Sequence, residues 1–373
     1  MKRLFIIAGE LSGDTHGAGL MRELVAQEPE IKFLGLGGPQ MKAQAGGGIE
    51  DWVENAAVVG LVEPLKRYGF FKERFEACLE AIREEKPDAV ILVDYPGFNL
   101  RLAKAIRQQR SETKIIYYIS PQVWAWKKGR IRTMAQVLDL MICIFPFEKP
   151  LYEKSGLKTQ FAGHPMVDRV QSLRRPWPRE KGLVGWFPGS REDEVRRLFP
   201  VMMKAAEIIK QAVPGVRFAV SAANEVLAGQ MRELADQHQC PQAKRWIETG
   251  TVYDLMQRCE VGTVASGTAT LEAACFGMPY ALVYRIAWPT YVIGKLVVRI
   301  KHLGIVNILA GKEVVPEFIQ HDCTPEMLAT QMLRWLQDDA SREQLQKELA
   351  ETVAMLGEGG AYRRAAEEVL KEL

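Results

Sequence analysis

Leu4-Phe5-Ile6-Ile7-Ala8-Gly9-Glu10-Leu11-Ser12-Gly13-Asp14-Thr15-His16-Gly17-Ala18-Gly19 opens the chain with a short apolar run, a turn of small and acidic residues, and the start of a helical pattern. The apolar run reads as a buried strand. It stops at Glu10, too soon for the longer h-region of an export signal. The turn after such a strand is where open α/β sheets bind ligands: its glycines let backbone approach a ligand, and the following helix offers free N–H groups and the positive end of its dipole. The turn does not match G-x-G-x-x-G, and no G-K-[ST] follows, so neither a nicotinamide site nor a Walker site is supported. A tight turn capped by Ser12 or Asp14 accounts for the same residues.

Working outward, the strand-turn-helix unit recurs. Further strands are expected at Phe33–Leu36, Ala89–Val93, Lys114–Ile119 and Leu140–Phe145, each followed by a turn and a helical stretch, the pattern of a doubly wound parallel sheet. Between Phe161 and Gly182 the pattern lapses into Gly163-His164-Pro165 and Arg174-Arg175-Pro176-Trp177-Pro178, and a linker is expected there. A second series starts at Leu183–Phe187 and continues through Val216–Val220, Val261–Ala265 and Pro279–Tyr284. After Thr324 only helices are expected, over Pro325–Leu336, Ser341–Leu356 and Ala361–Leu373. This predicts an α/β chain of two facing Rossmann-like domains, residues 1–165 and 166–324. The helices of 325–373 are expected to return to the first domain or to meet a partner in a homodimer.

Composition agrees with two soluble cores. The 373 residues are 47% hydrophobic and 25% charged, as in ordinary globular domains, and exceed the size at which a single core keeps growing. The excess of 49 Lys and Arg over 46 Asp and Glu is too small to imply nucleic acid. Six scattered cysteines without a C-x-x-C pair read as reduced, buried thiols. The apolar tract from Tyr280 to Ile300 carries Arg285, Pro289, Lys295 and Arg299, so no transmembrane helix is expected.

Three further turns could carry chemistry. Gly189-Ser190-Arg191 follows a strand and opens a long helix, and Arg191 offers a planar fork suited to a diphosphate. Ser266-Gly267-Thr268 repeats the arrangement with amides and hydroxyls, and Glu272, one helical turn in, is placed near the ribose of a nucleotide held there. Helix capping by Ser266 and Thr268, with Glu272 solvated, is the alternative. Asp94 ends the apolar strand Ala89–Val93, where either a general base or a capping carboxylate belongs. The five histidines form no H-x-x-x-H pair and no D-x-D occurs, so neither a metal nor any other cofactor is expected; arginine and helix amides are left to stabilise developing charge. Two stretches set apolar groups beside cations, Ala56–Lys72 and Tyr291–Lys301, and a basic aromatic segment carries Trp124 and Trp126. Such segments suit a lipid surface, and core-facing helices with cationic outer faces fit them too.

Taken together, Ala8–Asp14, Gly35–Met41, Ser120–Trp126, Phe145–Glu148, Gly163–Pro165, Pro188–Arg191 and Ser266–Glu272 resemble the lipid-A-disaccharide synthase family, in family order along the chain. The resemblance implies a GT-B-like inverting glycosyltransferase that joins UDP-2,3-diacylglucosamine to 2,3-diacylglucosamine 1-phosphate, giving a β-1,6 disaccharide 1-phosphate and UDP. It also implies a cytoplasmic enzyme held peripherally at the inner membrane. On this resemblance Asp94 is the candidate base, with Glu10 and Asp14 as runners-up. Arg191, Gly267 and Thr268 would steady the leaving diphosphate, and Asn307 would orient a sugar or diphosphate. Ser12, Gly13, Val58, Val59, Leu61, Val62, Trp124 and Trp126 would form the acceptor or membrane side. Two residues depart from the family: Gly97 stands where a second acid is common, and Val306 where a proline usually precedes the asparagine. The rival expectations are a sugar-nucleotide epimerase or a GT-B transferase with a soluble acceptor, and, in another class, a noncatalytic nucleotide-sugar-binding membrane adaptor.

Overall fold

Aliphatic runs buried on both faces are the mark of parallel sheets covered by helices, and the computed structural model contains two of them. It describes residues 2–56, 68–109, 112–124, 129–288, 291 and 301–373. The chain divides into one unit of residues 1–165 with 356–373 and a second of residues 166–355. In the first, β1 (Arg3–Ala8), β2 (Lys32–Gly37), β3 (Ile49–Asp51), β4 (Ala89–Val93), β5 (Lys114–Tyr118), β6 (Leu140–Cys143) and β7 (Thr159–Phe161) form a parallel sheet in the order β3-β2-β1-β4-β5-β6-β7. The order reverses at β1 and β4, so the turns after Ala8 and Val93 leave neighbouring strands at the switch point where such sheets take ligands.

The second unit repeats the plan with β8 (Glu180–Phe187), β9 (Arg217–Ala222), β10 (Ile247–Thr249), β11 (Cys259–Ala265), β12 (Tyr280–Tyr284) and β13 (Glu317–Ile319), ordered β10-β9-β8-β11-β12-β13. Here β8 and β11 flank the switch. All strands expected from the sequence are present. The four it missed, β3, β7, β10 and β13, are three residues long, too short to show a period. All six cysteines are buried and free.

The linker is shorter than expected. Pro165 starts a helix, Pro165–Leu173, because a proline lacks the N–H that a first helical position leaves unpaired anyway. The stretch before β8 is pinned by Arg179, whose guanidinium donates to the carbonyls of Met256, Cys259 and Phe276. The C-terminal helices also divide differently from the expectation that they return together. Pro325–Gln337 and Asp339–Ala354 belong to the second unit, the former packed along the long helix Glu192–Ala212. Only Ala361–Leu370 returns to the first unit, against the helix Leu11–Gln27, where the Tyr362 hydroxyl meets His16 Nδ1 at 2.9 Å.

Arg364 fixes that return. Its three nitrogens donate to the carbonyls of Ala162, Gly359 and Glu358, each at 2.8 Å. Replacing it by methionine removes all three bonds and keeps the side-chain bulk, so Arg364→Met is expected to destabilise the first unit by about 2–3 kcal/mol. Calorimetry should show that unit's transition lowered and limited proteolysis should cut the chain within residues 356–373.

Candidate active site

The first unit's site is built on strain. Asp94 and Tyr95, directly after β4, both lie in the left-handed region, at φ 44° and 47°, which costs a residue with a side chain. Four bonds hold them there. The Asp94 amide donates to the Tyr118 carbonyl at 3.0 Å, and the Asp94 carbonyl accepts from the Tyr117 hydroxyl and from Asn99 Nδ2, which also reaches the Val93 carbonyl. The carboxyl so positioned is half-buried. Burial first, and then the nearby Glu10 carboxylate, push its pKa up to about 6, against a smaller opposing effect of the Tyr95 amide. Glu10 is exposed at the start of the helix Leu11–Gln27 and makes no capping bond. Asp94 and Glu10 therefore lie near enough for one carboxylate to act on the other.

Asp14 is not part of this pair. It is fully buried, with Oδ1 accepting the amides of Gly38 and Met41 and Oδ2 that of Gln40, at 2.8–3.0 Å. Its carboxylate caps the helix Pro39–Ala45 from a neighbouring segment and has no free face for a substrate proton. Ser12 is exposed and Gly13 buried against Ala8. Trp124, half-buried, donates to Glu148 at 3.2 Å and stacks edge-on against Phe147, so it is tied into the unit's own packing. Val58, Val59, Leu61, Val62 and Trp126 lie outside the described residues, as does most of Tyr291–Lys301.

In the second unit the two anion turns share an edge. Phe187 of β8 pairs with Val264 of β11, so Pro188–Arg191 and Ser266–Thr268 leave adjacent strands at their carboxyl ends. Gly189 has φ 108°, and a Cβ there would collide with Glu194, which folds back to accept the Ser190 amide at 3.1 Å and to pair with Arg191 at 2.9 Å. Arg191 is 79% exposed on its other side. Gly267, at φ 151° with open space where a Cβ would stand, begins the helix Thr268–Cys275, and no side chain caps it. The alternative of a helix capped by the Ser266 and Thr268 side chains is thus absent among the described residues, and the Ser266 amide donates to the Val283 carbonyl at 3.0 Å. Glu272 is buried, not solvated: its Oε1 accepts from the Tyr253 hydroxyl at 2.9 Å, and burial raises its pKa.

Asn307 differs from the expectation. It is completely buried, donates to the Val315 carbonyl and Glu317, and accepts the amides of Val314 and Val315, all within 2.8–2.9 Å. Those four bonds exhaust an amide side chain's capacity, so in this structure the Asn307 side chain is fully engaged in fastening the loop 311–317. Val306 before it is buried at the first turn of the helix Ile305–Ala310, with an amide that a proline would lack.

The sequence reading missed two features. Tyr253, which holds Glu272, gave no local signal because its partner is distant in the chain. A groove of about 810 Å³ in the second unit is lined by Arg197, Val201, Lys204, Arg285 and Trp288. Arg197 and Lys204 are two helical turns apart and share a face, a spacing visible in the sequence. Neither they nor Arg285 has an ion pair among the described residues, and Trp288 is 63% exposed.

Two parallel-sheet Rossmann-like units, each with candidate site residues on turns at the carboxyl edge of its sheet, define a GT-B-type fold. Among solved structures the chain is similar across its full length to MurG from Acinetobacter baumannii, with TM-score 0.59, 14% identity and complete coverage of both chains. It is also similar to the S. aureus MnaA–UDP complex, with TM-score 0.64, 12% identity, covering all of this chain and 98% of the other. These establish the fold. A family model described as lipid-A-disaccharide synthetase matches residues 4–372. The lipid-A-disaccharide synthase of Geobacter metallireducens is 40% identical over 382 residues, covering 100% of this chain and 97% of the relative, and that of Nitrosococcus oceani is 38% identical, covering 97% and 94%. The chain belongs to the lipid-A-disaccharide synthase family and is a glycosyltransferase of lipid A biosynthesis. UDP-N-acetylglucosamine 2-epimerases share its fold at 11–12% identity only, so that rival reading is not favoured over the full-length family match.

The saturated side chains make a stability prediction. Asp14→Ala and Asn307→Ala each leave buried amides without an acceptor and should lower unfolding free energy by about 2–4 kcal/mol in urea titrations, whereas exposed Glu10→Ala should change it by roughly 0.5 kcal/mol or less.

Proposed function

We propose that the first unit binds the acceptor, 2,3-diacylglucosamine 1-phosphate, and supplies Asp94 as base, while the second holds the UDP of the 2,3-diacylglucosamine donor. The acceptor hydroxyl gives its proton to Asp94 as its oxygen bonds to the anomeric carbon from the side opposite UDP. The sugar–phosphate C–O bond breaks, its electron pair leaves with the diphosphate, and the configuration inverts. Arg191 and the amides at Gly267 and Thr268 offset the charge that develops there. Glu272 is assigned to the ribose, with the oxygen not taken by Tyr253. Glu10 acts through Asp94, keeping its pKa near the pH at which a base works best.

The observation that carries this reading is Asp94 itself: a carboxyl at the switch point, held by a strained backbone, with its pKa lifted to about 6. We further propose peripheral attachment at the cytoplasmic face of the inner membrane. Among the described residues no helix is long and apolar enough to cross a membrane. The groove of Arg197, Lys204 and Arg285 beside Trp288 supports surface attachment instead, since unpaired cations next to an indole suit anionic headgroups.

Mass spectrometry of products tests the reaction. The two diacylated precursors should give a tetra-acylated disaccharide monophosphate and UDP. Asp94→Asn should lower turnover by about 10²–10⁴-fold while UDP still binds; wild-type turnover in that variant refutes the base. Because the base works ionised, kcat/KM should fall as pH drops through about 6. The Glu10 carboxylate raises that pKa, so Glu10→Gln should move the acid limb to lower pH.

A further inference from the structure

Directly beside the Asp94 loop, the first unit contains an apolar cavity of about 460 Å³ between the helices Tyr68–Glu85 and Pro96–Gln108. Its walls are the rings of Phe71, Phe75, Tyr95 and Phe98. The floor is rigid. Trp52 packs edge-on against Phe98 at 5.1 Å and Tyr95 at 6.0 Å, and its indole N–H is bonded to the Ala8 carbonyl at 2.6 Å. The one phenol in the wall donates to the Ala56 carbonyl at 3.0 Å, so it asks nothing polar of an occupant. Phe71 and Phe75 remain partly exposed, so the cavity is an open recess and not a void in the core.

We propose that this recess takes one acyl chain of the acceptor sugar, and that Gly97 sets how long a chain it admits. The inference rests on the acceptor reading above and adds a residue-level determinant to it. Tyr95 follows Asp94 in sequence, so a chain in the recess belongs to the sugar whose hydroxyl meets that carboxylate; the donor's nucleotide turns lie on the other unit. Charge agrees. Lys72 and Arg101 complete the lining at exposed positions, and Arg101 has no ion pair among the described residues, which suits an amphiphile bearing a phosphate. Gly97 lies in the first turn of its helix and contributes only backbone to the wall. Gly97 is exposed and a Cβ there would meet nothing within 4 Å, so a larger residue stands without a clash at the open rim of the recess. A carboxylate at this position would instead place a charge at the rim of an apolar lining.

The test compares kcat/KM for acceptors carrying tetradecanoyl and hexanoyl chains, with the donor held constant, and then repeats the series on the donor with the acceptor constant. Each buried methylene is worth about fourfold. Gly97→Leu should therefore reduce the long-over-short acceptor ratio by roughly tenfold or more, and Phe75→Ala, which enlarges the recess, should shift preference toward longer acceptors. Gly97→Leu fills open space, so it remains informative even where Phe75→Ala fails to fold. An unchanged acceptor ratio in Gly97→Leu, or a response confined to the donor series, overturns the inference while leaving the proposed reaction standing. No disaccharide from the wild type with any acylated pair overturns the reaction and this inference with it.

Discussion

The first unit's chemistry depends on one clamp, the grip of the Tyr117 hydroxyl and Asn99 amide on the Asp94 carbonyl. Two consecutive side-chain-bearing residues in the left-handed region cost about 1–3 kcal/mol each. A free chain would relax them, and the strand would run on toward an ordinary turn. With the carbonyl held from two sides, the backbone reverses within one residue. The Asp94 carboxyl then emerges next to Glu10, and the Tyr95 ring is laid over Gly9, where a Cβ would stand within 2.3 Å of it. The acid pair, the aromatic wall and the tight first turn are three results of the same distortion.

The two units use the same sheet plan for opposite electrostatic ends. At the switch of the first, carboxylates are crowded and partly desolvated, which favours taking up a proton. At the switch of the second, a helix N-terminus without a side-chain cap and an exposed guanidinium lie on adjacent turns, which favours negative charge. Glu194 moderates the second site: bonded to both the Ser190 amide and Arg191, it occupies donors that an entering diphosphate would claim. Several acids and amides that resemble site residues are instead consumed in holding loops. Asp14 and Asn307 show this most clearly: Asp14 accepts three backbone amides, and Asn307 makes three bonds to backbone and one to Glu317.

Much of this was legible in the residues because parallel strands announce themselves. Runs such as Ala89–Val93 and Val261–Ala265 are apolar on both faces, and the glycine-bearing turns after them mark the carboxyl edge. The short edge strands carried no period to read. The partners of Asp14 and Asn307 were not legible for a different reason: whether a polar side chain faces solvent or a neighbouring loop is decided by packing distant in sequence. Asp14 meets its amides 24 to 27 residues away. Tyr253 and the recess around Gly97 were invisible on the same grounds, each being made by helices that meet only in the folded unit. Trp124 was read as a surface anchor from its basic surroundings, and the buried Glu148 that captures it could not be inferred from local sequence.

The division of the chain has a consequence for how the protein is made. Residues 356–373 complete the first unit, yet they are synthesised after every residue of the second. The helix Leu11–Gln27 is thus made early and waits through the synthesis of the whole second unit for the helix that covers it. The first unit therefore closes through a contact between segments more than 300 residues apart, and that contact cannot form until the whole of the second unit has been made.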